Sequence, residues 1–294
     1  MIPGWQGRCG AGAQVFCGCA GSRCTPESDE SLIKSLIMKE KIEESEMKTL
    51  FEEGCRLHEQ GKAGEAFACF LKAASAGHLV AMGNVAFMYV RGLGVEQNPG
   101  QAFYWWKQAA GLHDVDALYR VGMCYDIGLG VEKNEVEAVR WYEMAASKGQ
   151  VLAQHNLAMS YETGAGVQKD AGRAYYWHRM AAAQGLKYSQ FKVAMHYADM
   201  RKAGPDKWWK AARWAYQAAR QELPEAEYML SVCYGRGLGV ELSYTEALYW
   251  MSLAAEHGHP EARTYMSRMK GYERPEKSIA DAVLACELEV LAAE

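Results

Sequence analysis

A tetrapeptide recurs along the chain at a nearly fixed interval. Gly92-Leu93-Gly94-Val95 returns as Gly128-Leu129-Gly130-Val131, Gly164-Ala165-Gly166-Val167 and Gly237-Leu238-Gly239-Val240. The intervals are 36, 36 and 73 residues, so the last holds two units and one inserted residue. Other positions keep the same beat. Ten residues after each valine stands Trp105, Trp141, Trp177 or Trp250, and the long interval supplies Trp214. Three residues before each tryptophan is Ala102, Ala138, Ala174, Ala211 or Ala247, and alanine pairs follow it, from Ala109-Ala110 to Ala254-Ala255. Tyr89, Tyr125, Tyr161, Tyr197 and Tyr234 hold a further position. Self-similarity at this period restricts the chain to a stacked array of small units, each burying its apolar face on its neighbours.

Within a unit the spacing is helical. Ala138, Trp141, Ala145 and Gly149 fall at i, i+3, i+7 and i+11, one face of a helix, and Ala153, Leu157 and Tyr161 begin a second. Each unit is therefore two antiparallel helices of about 12–14 residues, roughly 18–21 Å long at the usual rise per residue. Ala86, Gly122, Ala158, Ala194 and Ser231 leave room for the partner helix, and the tryptophans and tyrosines are expected to fill the remaining core volume. The first glycine of each tetrapeptide suits the left-handed conformation that ends a helix, the second permits a tight bend, and the valine plugs the apolar seam. Gly77, Gly149, Gly185 and Gly258 are expected to close the other helix in the same way. The tetrapeptide lacks the Lys-Ser/Thr of a phosphate-binding loop and any strand–helix context, so it is punctuation rather than a nucleotide cradle.

Composition bounds the function classes. A length of 294 residues suggests two domains of about 150 each, and the repeat replaces that with one elongated array of about six units. Half the chain is apolar, which excludes a disordered chain. The formal net charge of −4 offers no basic excess for displacing phosphate counterions, so nucleic acid is not an expected partner. No uninterrupted apolar run reaches the ~18 residues of a membrane span. Residues 1–30 read as a disordered leader rich in Cys and Gly, a poor secretory signal. Its Cys9, Cys17, Cys19 and Cys24 lack the paired C-x2-C spacing of a zinc knuckle. Met38 and Met47 offer internal starts. Residues 31–60 read as an N-terminal capping helix and 61–270 as the repeat array. Residues 271–294 read as a C-terminal capping helix with Ile279, Val283, Cys286 and Val290 in one stripe, a helix that a docking or dimerisation role would also suit. With no export signal, a reducing cytoplasm is the expected compartment.

The recurring Ala-x3-Leu-(Gly/Ala)-x2-Tyr-x2-Gly-x-Gly-Val, followed by Ala-x2-Trp-x3-Ala-Ala-x2-Gly, resembles the Sel1-like repeat family, a relative of the tetratricopeptide repeat, over about residues 60–270. Two stretches depart from the pattern. After Tyr197 the chain reads ADMRKAGPDKWWK in place of Gly-x-Gly-Val, and the unit at 60–80 carries Cys69 where Trp is usual. The resemblance implies an all-α, right-handed superhelical solenoid of about six repeats with capping helices, acting as a non-catalytic scaffold or adaptor for another protein or peptide. It also implies that the first helix of each unit lines a concave groove. Phe87, Met123, Met159, Met195 and Val232 would then form one row, Tyr119, His155, Phe191 and Tyr228 a second, and Asn84, Arg120, Asn156, Lys192 and Met229 a third. Two readings of the Met and aromatic row stand side by side: the floor of a groove for an amphipathic or acidic segment, since Met is adaptable, or packing between units. Trp208 and Trp209 likewise read either as an exposed contact patch or as packing against Trp214. A cysteine-rich branch of the family is disulfide-stapled and linked to penicillin binding, so an exported envelope or host-interacting protein with β-lactamase-like activity is the alternative. The chain lacks that branch's cysteine pair in each repeat.

No catalytic, cofactor or metal site is expected. The eight histidines show no ligand spacing such as HxxxH, and no Gly-x-Ser-x-Gly elbow occurs. His257 and His259 flank Gly258 in a turn where a cation suits the end of a helix. Glu43-Glu44 and Glu52-Glu53 read as solvated surface.

Overall fold

The computed structural model describes residues 44–199 and 205–269, which form helices joined by short turns, with no strand among the described residues. The leader and the C-terminal segment lie outside them. Helix α1 covers residues 44–59, followed by α2 (Ala63–Ser75), α3 (Leu79–Arg91), α4 (Pro99–Gly111), α5 (Val115–Ile127), α6 (Glu135–Ser147) and α7 (Val151–Thr163). The chain continues through α8 (Ala171–Ala183), α9 (Lys187–Tyr197), α10 (Pro205–Ala219), α11 (Pro224–Arg236), α12 (Tyr244–Glu256) and α13 (Pro260–Arg268). Helices pack mainly on their neighbours in sequence, giving the expected all-α solenoid. Odd-numbered helices are the first of each pair and even-numbered ones the second.

Caps set the boundaries. Asn98, Asn134, Asp170 and Ser243 precede second helices and accept a hydrogen bond from the amide three residues on. His78, Asp114, Gln150 and His259 do the same for first helices. His259 is thus an N-cap acceptor for α13, which corrects its reading as a cation at a helix end. Gly92, Gly128, Gly164 and Gly237 end first helices in the left-handed conformation. The connecting loop closes when the N–H of each second-helix cap donates to the carbonyl of the tyrosine column, as Asn134 does to Tyr125 at 2.8 Å.

The second glycine of the tetrapeptide does more than bend the chain. Its α-carbon rests on the backbone at the start of the preceding unit's second helix. A Cβ on Gly94 would overlap the Ala63 backbone, one on Gly130 that of Pro99, one on Gly166 that of Glu135 and one on Gly239 that of Trp208. Trp208 is the fourth residue of α10, so α10 carries a three-residue extension ahead of the position the loop recognises. Inside a pair the small-residue column allows close approach: a Cβ on Gly122 would come within 2.7 Å of the Tyr142 ring. Gly54 is equally tight against Phe70, so α1 packs on α2 as the first helix of a pair, with a shorter loop.

The core differs in detail from the sequence expectation. Alanine dominates it, with Ala66, Ala102, Ala138, Ala174 and Ala211 at 0–2% exposure, the apolar seam being completed by Val85, Val121, Leu157, Val193 and Leu230. Trp105, Trp141, Trp177 and Trp214 are only half-buried, and the indoles that reach the core are Trp106 and Trp250. A column of closely apposed alanines leaves no space for an indole, so most tryptophans lie across the surface of the seam. Gly77, Gly149, Gly185 and Gly258 follow the last helical residue by two positions, with the residue before each as the cap. In the same column His113 and Glu222 hold φ of 64° and 58°, a left-handed conformation that side chains disfavour.

Two substitutions separate these roles. Gly166→Ala adds both a strained φ and an overlap with backbone, and it is expected to lower stability by about 3 kcal/mol in a denaturant titration. Glu222→Gly relieves a strained φ and leaves the core packing as it is, and it is expected to raise stability by about 1 kcal/mol. A neutral Gly166→Ala would contradict the backbone clamp.

Candidate protein-binding face

Burial along the first helices separates the packed side from the solvent side. In α5, Ala117, Leu118, Val121, Gly122 and Cys124 are buried, and the other first helices repeat most of this pattern. The remaining positions face outward. Phe87 is 47% exposed and Met195 52%, while Met123, Met159 and Val232 are half-buried. The Met and aromatic row is therefore neither closed core nor fully free: Phe87 and Met195 stand open, and Met123, Met159 and Val232 are partly shielded.

The second row is tied into the packing within and between units. Tyr119 stacks at 6.0 Å on Tyr142, and Tyr228 stacks at 4.2 Å on the His259 ring. His155 Nδ1 lies 2.9 Å from Ser189 Oγ, and Phe191 packs on the core of the second half. In the third row Arg120 is exposed, its guanidinium 5.9 Å from the Trp106 and Tyr119 rings. Lys192 Nζ pairs with Glu162 at 2.7 Å, and Asn84, Asn156 and Met229 are half-buried. Trp208 and Trp209 belong to α10, a second helix, and do not join this face; both are half-buried, with Arg213 5.7 Å from the Trp209 ring.

Sequence reasoning missed four exposed apolar residues on the same side of the first helices. Val80 (58%), Leu152 (43%) and Tyr188 (53%) each lie seven residues before a member of the Met row, and Ile127 (62%) lies four after Met123. Seven and four residues return to the same helix face, so the signal was present in the 3.6-residue period. Together these side chains extend the row into an apolar strip along the helices. Arg91 and Arg120 stand on it as exposed cations, and Asp116 and Glu225 as exposed anions.

A second constellation is internal. The column holding Met82 and Leu118 in the early units holds Gln154, Gln190 and Glu227 in the later ones, all three buried. Each reaches the end of its own pair's second helix: Gln154 to Gln184 at 2.9 Å, Gln190 to Gln221 at 2.9 Å, and Glu227 to His257 at 2.8 Å. Gln154 and Gln190 also donate to the Ala146 and Ala182 carbonyls of the preceding pair, at 3.2 and 3.3 Å. Beside the first of these, Ser189 Oγ lies 3.3 Å from His178 Nδ1, and His178 Nε2 lies 3.3 Å from Glu162 Oε1 without hydrogen-bond alignment. Ser, His and Glu stand in the order of a hydrolytic relay, yet Ser189 is 0% exposed and no substrate carbonyl can reach its hydroxyl. Burial pushes the His178 pKa down to about 4, and burial also lowers that of His155. Glu227 moves the other way: burial raises its carboxyl and the bond from His257 lowers it again in part. Among the described residues no group of His, Cys, Asp and Glu is arranged to hold a metal. Cys55, Cys69, Cys124 and Cys233 are free thiols, and burial raises the Cys124 and Cys233 pKa values to about 12.

The sequence pattern named Sel1 repeat matches residues 58–78, 79–114, 115–150, 151–186 and 224–259. The unmatched stretch between them holds α9 and α10, which the structure shows to be a further helix pair. A protective antigen of uropathogenic Escherichia coli with an SLR fold is similar at 28% identity and a TM-score of 0.71, over 81% of this chain and 52% of its own. The chain thus spans about half the length of that antigen. A Sel1 repeat protein from Oxalobacter formigenes is similar at 28% identity and a TM-score of 0.67, over 76% of this chain and 90% of its own. No curated protein matches the chain.

The polar ladder generates a pH-dependent expectation. His257→Ala leaves the Glu227 carboxylate buried without its donor, and a loss of about 2 kcal/mol is expected at pH 8. Without the donor the folded pKa rises further above its unfolded value. The loss is therefore largest at high pH and shrinks as pH falls through the raised folded pKa, where the carboxyl is neutral. A loss independent of pH between 8 and 4.5, in urea titrations, would show that the bond to His257 is not what offsets the burial.

Proposed function

The chain belongs to the Sel1 repeat family, and on that premise we propose that it is a non-catalytic scaffold that captures a protein segment along the solvent-facing side of its first helices. Sel1 repeats generally mediate protein–protein interaction. The observation that carries the reading is the exposed apolar strip of Val80, Phe87, Ile127, Leu152, Tyr188 and Met195, running across four successive first helices. Contiguous exposed apolar side chains of this size mark interaction sites, and flexible Met suits a surface that adapts to its ligand. The occupant that fits is the apolar side of an amphipathic helix, with acidic flanks placed against Arg91 and Arg120. The reading places the scaffold in a reducing compartment, in keeping with the four free thiols. A second reading, an exported or host-facing repeat protein, draws on the similarity to the Escherichia coli antigen, and disulfides at Cys69, Cys124 or Cys233 in natural material would favour it.

Tyr119 and Tyr228 make poor test sites, because the first stacks inside its own helix pair and the second on the cap of the next. Phe87→Ala, Ile127→Ala and Met195→Ala together remove exposed apolar groups and leave the seam intact. Against an acidic amphipathic peptide selected on the wild-type chain, this triple variant is expected to bind at least ~10-fold more weakly while keeping its melting temperature within a few degrees. The proposal fails if the triple variant binds normally while Tyr104→Ala, Met144→Ala and Tyr176→Ala, on the second helices, abolish binding.

A further inference from the structure

The apolar core is not continuous. One cluster runs from Leu57 in α1 to Ala174 and Trp177 in α8, and a second begins at Phe191 and Ala194 in α9 and ends at Leu253 in α12. Between them the boundary of α8 and α9 sets buried polar groups beside the small apolar Ala181, Ala182 and Val193. His178, Ser189 and Gln190 are buried there, and Gln221 bridges the Gly185 carbonyl and Gln190 at 2.9 Å each.

A second observation marks the same boundary. The Gly-x-Gly-Val loops seat Gly94 on α2, Gly130 on α4, Gly166 on α6 and Gly239 on α10. The loop that would seat on α8 is the one after Tyr197, where the sequence has no Gly-x-Gly-Val. The start of α9 also lacks a side-chain cap: its N-cap is Leu186, as Leu223 is for α11, where α5 and α7 have Asp114 and Gln150.

We propose that the boundary between α8 and α9 is a joint of the solenoid and that proton uptake by His178 opens it. The imidazole is 2% exposed. From α7 it faces Glu162 and His155, and from α9 it faces Lys192 and the neutral Ser189. Glu162 is shared with Lys192, and a charged imidazole would stand beside His155 and Lys192 in a site that excludes water. Opening the joint hydrates the ring and restores an ordinary histidine pKa near ~6.5. The closed state has a pKa of about 4, so it keeps the ring neutral. The closed state is therefore favoured fully above ~6.5 and progressively less as pH falls toward 4, each pH unit in that window being worth tenfold. From His178 alone, opening rises about 30-fold between pH 7.5 and pH 5, and His155, lowered in the same sense, adds to it.

Hydrogen exchange read by mass spectrometry on the full chain at pH 7.5 and 5.0, corrected for the intrinsic pH dependence of exchange, tests this. Protection in α8 and α9 is expected to drop at least about 30-fold on acidification while α5 and α6 stay unchanged, and His178→Gln, which cannot take a charge, is expected to leave only the smaller drop that His155 contributes. Glu162→Gln removes the anion that favours the charged ring in the closed state, so it is expected to leave the onset near ~6.5 unchanged and to raise opening about twofold over the wild type at pH 4.0, and it serves if His178→Gln does not fold. The proposal is overturned if α8 and α9 track α5 and α6 at both pH values, if His178→Gln responds like the wild type, or if Glu162→Gln opens no more than the wild type at pH 4.0.

Discussion

The contact on which this architecture depends is backbone against backbone. The second glycine of each tetrapeptide lies on the start of the preceding unit's second helix, with no room for a side chain between them. Such a contact cannot adjust by changing a rotamer, so it fixes the spacing and angle between units more tightly than an apolar seam alone would. Everything downstream inherits that spacing. First helices stand side by side because the loops hold them there, and the exposed apolar side chains of successive first helices share one side because those helices are held in register.

Where the constraint lapses, the chemistry of the core changes with it. The units up to α8 are joined by alanine, leucine and valine. From α7 onward glutamine, glutamate and histidine tie each first helix to the end of its own pair's second helix, and Gln154 and Gln190 reach carbonyls of the preceding pair as well. Apolar packing is non-directional and tolerates small shifts, whereas buried hydrogen bonds specify one alignment and are costly when misaligned. A polar ladder supplies alignment in the half of the array where the sequence after Tyr197 has no Gly-x-Gly-Val. A conditional joint at α8 and α9 follows from the same exchange of rigid contacts for titratable ones.

Much of the fold was legible in the sequence, because glycine, alanine and valine recur for backbone reasons that hold in every copy. The pairing of helices, the left-handed caps at Gly92, Gly128, Gly164 and Gly237 and the close approach at Gly122 all follow from residue type and spacing. The tryptophans misled: a regular period marks a repeated environment without saying that it is buried, and the alanine column left Trp105 and Trp141 on the flank of the seam. Glu227 and Gln154 were invisible because their burial depends on partners 30 residues away, His257 and Gln184. His259 was read by its charge, while its structural role is to accept an amide hydrogen bond at the start of α13. The binding face was half legible. The Met row was found by register, but Val80, Leu152, Tyr188 and Ile127 fall between the repeated positions and differ from copy to copy.

The central claim is that the first-helix side of the solenoid is where a partner lies. Site-specific photo-crosslinking in the native host reads this directly, with a photoreactive residue placed at Ile127 on the first-helix side or at Tyr104 on the second-helix side. The account predicts a discrete adduct from position 127, suppressed by an excess of unlabelled chain, and none from position 104. Adducts from position 104 with none from 127 would contradict it.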